Sequence, residues 1–183
     1  MYRTEVVVRS APVSEWLKQY CYPGKYLEAC MACPDYGQIW SCPPGVPKAD
    51  AYLGNYRTAY VVGVKVIYDG AERNKARRSP EETERIRAST YGVVKNALLE
   101  ALLGLEACSP GAHVIAAGRC EQCESCARSK GLPCRRPSRM RYSFSAFDFD
   151  LNFLAKDLLG MELLWASEGL PEYNAAIAAL LTR

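Results

Sequence analysis

"AYVVGVKVIY", residues 59–68, is the stretch on which the reading of the fold turns. Small and β-branched apolar residues run through it almost unbroken, with Lys65 its one charge. A strand with one wet face alternates apolar and polar residues. A continuous apolar run instead fits a strand buried on both faces, as in parallel sheets covered by helices. The flanking segments agree with that reading. Upstream, "TEVVVR", residues 4–9, is a β-branched run, and Pro12 can open a short helix over 12–20, proline being preset for the first helical turn. Downstream comes the strongest helix signal. Ser79, Pro80 and Glu82 form a capping box with proline at the first helical position. Ile86, Val93, Val94, Ala97, Leu98, Ala101, Leu102 and Leu105 then keep one helical face apolar. "AHVIAAG", 112–118, reads as a strand, 149–159 as a helix, "MELLWAS", 161–167, as a strand, and 171–182 as a closing helix. Strands alternating with helices predict an α/β fold, with a mostly parallel sheet of about four strands flanked by helices.

The 183 residues suit a single domain spanning 1–183, and 49% hydrophobic with 23% charged residues is the composition of a soluble globular chain. No apolar run approaches the roughly 18 residues of a membrane span. The N-terminus, "MYRTEVVVRS", has no long apolar core of a signal peptide, so a cytoplasmic location is expected. A net charge of +3 is too small to argue for a nucleic-acid or membrane partner. Two segments, 21–58 and 118–147, are too long to be idle connections, and they hold every cysteine but Cys108. The cytosol keeps thiols reduced, so thiols this dense there point to metal rather than disulfides.

The clearer cysteine set is Cys120, Cys123, Cys126 and Cys134 in "CEQCESCARSKGLPC". Three thiols at two-residue intervals wrap a loop around a compact centre, as in the bacterial ferredoxin run that ligates a [4Fe–4S] cluster. The fourth cysteine departs from the ferredoxin spacing. Zinc sites more often use two separated pairs, so iron–sulfur is the leading reading and zinc the alternative. Four thiolates around either centre leave about two net negative charges. From Arg128 to Arg141 there are six basic residues and no acidic one. They can offset that charge and donate to sulfur, or simply form a solvated basic face.

The other set lies in "CMACPDYGQIWSCPP", residues 30–44, with Cys30, Cys33 and Cys42. Cys21 is spaced to complete a quartet. Either it closes a tetrahedral site, or three thiolates leave one metal position open for a substrate. Prolines after Cys33 and Cys42 stiffen the approach to each ligand, while Tyr36 and Trp40 either shield the site or pack beneath the loop. Cys108 reads as a small hydrophobe, and nothing supports pairing it with His113, the only histidine. No Walker loop or strand-linked G-x-G-x-x-G is present. With the first loop before a strand and the second after one, a parallel sheet would separate two sites by about 17–20 Å.

These two cysteine stretches, with "GRCEQCESCARSKGLPCRRPSRMRYSFSAFDFDL" for the second, resemble the hallmarks of the domain-of-unknown-function 2284 family of predicted metal-binding proteins. The resemblance spans roughly 20–165. It implies that Cys30, Cys33, Cys42, Cys120, Cys123, Cys126 and Cys134 are the functional thiols and leaves Cys21 outside the pattern. Tyr142 and Ser145 stand where the family tends to have a proline and an acid. The resemblance implies metal binding without naming a reaction. The expectation is a cytoplasmic protein with one or two [4Fe–4S] clusters. It would act in electron transfer or at an open cluster site, with a redox partner protein or a small-molecule substrate. The alternative is a zinc-stabilised module whose basic loop, with Tyr142, Phe144 and Phe147, contacts nucleic acid or an acidic partner.

Overall fold

In the computed structural model, which describes residues 1–166 and 168–183, four strands form one sheet. They are β1 (Tyr2–Pro12), β2 (Thr58–Tyr68), β3 (His113–Ile115) and β4 (Tyr173–Thr182). Their order is β1-β2-β4-β3, and every neighbouring pair is antiparallel. The expected mostly parallel sheet is therefore overturned. The cause is the C-terminal segment. Residues 173–182, "YNAAIAALLT", were expected within the closing helix 171–182 with proline at its start, and their alanines and leucines do favour a helix locally. They form β4 instead, inserted between β2 and β3. Since β2 and β3 each run against β4, they run in the same direction as each other, joined by the helical stretch 70–108. The β-α-β crossover is real but split by β4.

Burial on both faces of β2 holds. Ala59 and Val61 point into a cluster with Trp16, Leu53, Phe144, Leu154, Ile177, Ala179 and Leu181. Val62, one residue on, packs in a second cluster with Leu102, Leu103, Val114 and Ala178 on the opposite face. Period-two alternation thus divides each inner strand between two layers. The first layer holds α1 (Val13–Tyr20), α3 (Ala49–Leu53) and α7 (Leu151–Leu159). Opposite lie α4 (Gly70–Ala76), α5 (Pro80–Arg87) and α6 (Val93–Cys108), with a π-helical turn at Ala88–Gly92 between the last two. The Ser79 hydroxyl accepts from Glu82 N at 3.1 Å with Pro80 opening α5, as the capping box predicts.

The expected strand 161–167 has no regular structure over 161–166, and residue 167 lies outside the described residues. The expected strand 112–118 shortens to the three residues of β3. The first cysteine segment carries α2 (Leu27–Met31) and α3, neither of which the apolar pattern signals. Among the described residues no helix is long and apolar enough to cross a membrane.

Candidate metal centre

The shortness of β3 brings the two cysteine segments together. His113 and Ile115 lie beside Leu181 and Ala179, which pair in turn with Ala59 and Val61 at the start of β2. The second loop leaves β3 only a few residues' rise from where the first loop enters β2, so the opposite ends of these strands are not far apart. The loops pack directly on each other instead of standing at separate ends of the sheet.

Side chains from both loops make that junction. Ser41 is fully buried, and its hydroxyl accepts the Cys120 amide at 2.9 Å. Arg119 reaches Asp35 at 2.5 Å. Arg128, between Cys126 and Cys134 in sequence, donates Nη1 to the carbonyls of Ile39 at 2.9 Å and Cys42 at 2.7 Å, and Nη2 to that of Pro44. Its guanidinium lies 5.0 Å from the centre of the Trp40 ring, and Trp40 Nε1 donates to Leu132 O at 3.1 Å. Trp40, read from the sequence as either shielding the first set or packing beneath its loop, lines the cavity of the second.

Cys120, Cys123, Cys126 and Cys134 all line one cavity of about 390 Å³. Its wall also carries Arg119, Arg135 and Arg136 from the second loop and Asp35, Ile39 and Trp40 from the first. Burial, followed by the neighbouring thiols Cys134, Cys123 and Cys126, raises Cys120 above the usual thiol range. Apposed thiols resist becoming thiolates together unless a cation or positive group joins them. A cavity edged by four soft donors, with three guanidiniums and the carboxylates of Asp35, Glu121 and Glu124 on its wall, could hold a thiolate-ligated metal group. Among the described residues, no three His, Cys, Asp or Glu side chains form a group that could hold a single metal ion.

The first set is also gathered, though more openly. Cys33 is exposed, while Cys30 and Cys42 are half-buried. Burial pushes the Cys42 thiol up to about 11, against a lowering hydrogen bond from Ser41, with Asp35, Cys33 and Cys30 raising it further. Cys30 is raised by burial, then by Asp148 and Cys33. Cys30 lies on a different cavity, of about 400 Å³, with Lys48, Asp50 and Asp148 on its wall. Cys21 is set apart: it is buried in the core, and its thiol donates to Phe147 O at 3.1 Å. All nine cysteines are free thiols.

The sequence profile of a family described as predicted metal-binding protein (DUF2284) matches residues 12–181. The chain belongs to that family. No curated protein and no solved structure matches it. The DUF2284 description is that of a predicted metal-binding family, and the nine free thiols of this chain are soft donors of the kind such a role needs.

The basic run in this DUF2284 chain is mostly engaged. Arg139 pairs with Gln122 at 2.9 Å and with Glu100, Arg141 pairs with Glu106, and Arg135 donates to Ser125 O at 3.3 Å. Spacing alone does not reveal one group beside the loops. His113 Nε2 meets Tyr52 Oη at 2.9 Å, and His113 Nδ1 lies 3.0 Å from Glu106, which holds Arg141. Burial lowers His113 below its ordinary value, and the Glu106 carboxylate opposes that. Tyr52 and Glu106 come from α3 and α6, so no local motif could announce the group. It ties the end of the second cysteine loop to both helical layers.

Proposed function

We propose that the protein is an iron–sulfur protein of redox function, with Cys120, Cys123, Cys126 and Cys134 holding a [4Fe–4S] cluster. The observation that carries this reading is the shared cavity of about 390 Å³ onto which all four thiols open. A lone tetrahedral ion needs four sulfurs at about 2.3 Å from one point, and a cavity of this breadth suits a polynuclear group better. When bound, such a cluster supplies one-electron redox chemistry, its potential set by charge, hydrogen bonds to sulfur and solvent access.

The chain's own residues act on those terms. Arg119 is paired with Asp35 and Glu121 on the same wall, so Arg135 and Arg136, with Glu124 opposing them, are the guanidiniums left to act on the thiolates' charge and so on the potential. Trp40 and Ile39 cover one side against water. Cys30, Cys33 and Cys42 form the second, more open set, whose missing fourth donor leaves room for a small molecule. Its contact with the quartet through Ser41 offers a short route for electrons between the two sets. A redox protein or small molecule is the partner this arrangement suits, and a reducing cytoplasm is the compartment that would keep its thiols free. The basic loop supports this over the nucleic-acid reading, because Arg128, Arg139 and Arg141 are held by carbonyls and carboxylates of the chain itself.

Anaerobic purification followed by metal and acid-labile sulfide analysis tests it. Brown protein with matching iron and sulfide is expected. Colourless protein with stoichiometric zinc and no sulfide would overturn the iron–sulfur reading in favour of a zinc-stabilised module.

A further inference from the structure

The largest cavity described, about 860 Å³, contains none of the cysteines. It opens between the start of α5, Asn174, Ala175 and Ile177 of β4, and residues 163–166 and 168–171. Its lining is chemically mixed. Arg77, Arg78 and Arg87 bring three guanidiniums to it, with Glu168 the one acid among the described lining residues. Leu163, Leu164, Trp165 and Leu170 add apolar surface. Arg87 is paired with Glu84 at 3.5 Å. Among the described residues Arg77 and Arg78 meet no carboxylate at salt-bridge distance, although the neighbouring Lys75 and Arg85 each find one. The stem of Arg77 crosses Gly169 so closely that a Cβ there would lie 3.2 Å from Arg77 Cγ. Gly169 has φ +68°, a conformation costly for other residues, so it both shapes the turn and lets the arginine lie over it. Trp165 is 84% exposed beside this cavity, an unusual place for a large aromatic ring.

The geometry points to a binding site for a small organic carboxylate with an apolar or aromatic body. Its carboxylate would lie on Arg77 and Arg78, and its body against Leu163, Leu164 and Trp165. Guanidinium forks match carboxylates in a bidentate manner. A cavity of several hundred Å³, apolar with a few convergent polar groups, is the usual form of a small-molecule site. Its position adds a second argument. Ala117 and Gly118 line this cavity, while Arg119 and Cys120, the next two residues, line the cavity of the cysteine quartet. A ligand bound here therefore sits one short backbone stretch from the candidate metal centre. The carboxylate site uses no thiol, so it stands or falls apart from the identity of the metal.

Titration calorimetry on the protein as purified tests the site, with 4-phenylbutyrate as probe, 4-phenylbutanol as its uncharged counterpart and inorganic phosphate as a bodiless anion. Saturable binding of 4-phenylbutyrate is expected, with the alcohol and phosphate each at least tenfold weaker. The double variant Arg77→Gln/Arg78→Gln should lose at least tenfold in affinity for the carboxylate while keeping its melting temperature, both side chains being exposed. Three results would overturn the site: no saturable carboxylate binding, equal binding of acid and alcohol, or phosphate binding as tightly as the acid. Unchanged affinity in the folded double variant would overturn it as well.

Discussion

Replacing Arg128 by alanine should loosen the junction between the two cysteine loops, and the size of the effect follows from its contacts. Its guanidinium makes two part-buried bonds, to Ile39 O at 2.9 Å and Cys42 O at 2.7 Å, and a third, exposed one to Pro44 O. Charge-assisted bonds of this kind contribute about 1.5 kcal/mol each at the low end of their range. The exposed bond adds little. The Trp40 ring at 5.0 Å contributes roughly 0.5 kcal/mol in a partly exposed setting. Arg128→Ala should therefore cost about 3.5 kcal/mol, which in a domain of this size lowers the melting temperature by roughly 7–14 °C. Arg128→Lys keeps the charge but not the fork, and should recover less than half of the loss. Thermal melts on anaerobically purified protein give the stability. Thiol-labelling rates at Cys30, Cys33 and Cys42 report whether the first loop has been freed. If Arg128→Ala melts within about 1 °C of the parent and its first-loop thiols label no faster, the loops are not held by this residue.

Cys21→Ser should leave metal content and spectrum unchanged, because the Cys21 thiol bonds to Phe147 O within the core; metal loss on elemental analysis would place it among the ligands. Tyr52 is pushed up to about 12 by burial, from an ordinary 10.0. The folded state then keeps a proton that the unfolded state releases, so stability is intact below pH 10.0 and falls as the pH rises toward about 12. Urea denaturation at stepped alkaline pH should show a shallower decline in Tyr52→Phe, and an unchanged slope would exclude Tyr52 as a contributor. Gly63→Val puts a Cβ 2.6 Å from Met161 Cε and 2.9 Å from Leu159 Cδ1. It should destabilise by about 1–3 kcal/mol despite the better strand propensity of valine. A more stable variant in denaturant titration would contradict the packing of residues 159–161 over β2.

Local chemistry by itself determined a good deal of this protein. The unbroken apolar run of 59–68 requires cover on both faces, and the helical layers supply it. Ser79 and Pro80 satisfy the first amides of α5 through neighbours in sequence, so that helix start was readable. The cysteine spacings marked two groups of thiols, which lie on two loops that pack against each other. Tertiary structure alone decided the rest. Residues 173–182 favour a helix locally but sit where β2 and β3 each leave a row of backbone donors and acceptors for a partner. Filling that gap satisfies those groups and buries Ala176, Ile177, Ala178, Ala179 and Leu181. Nothing within ten residues encodes that demand, which comes from strands distant in sequence. The meeting of the two cysteine loops has the same origin. It depends on β3 ending after three residues and on Ser41, Asp35 and Arg128 finding partners about 80 to 90 positions away.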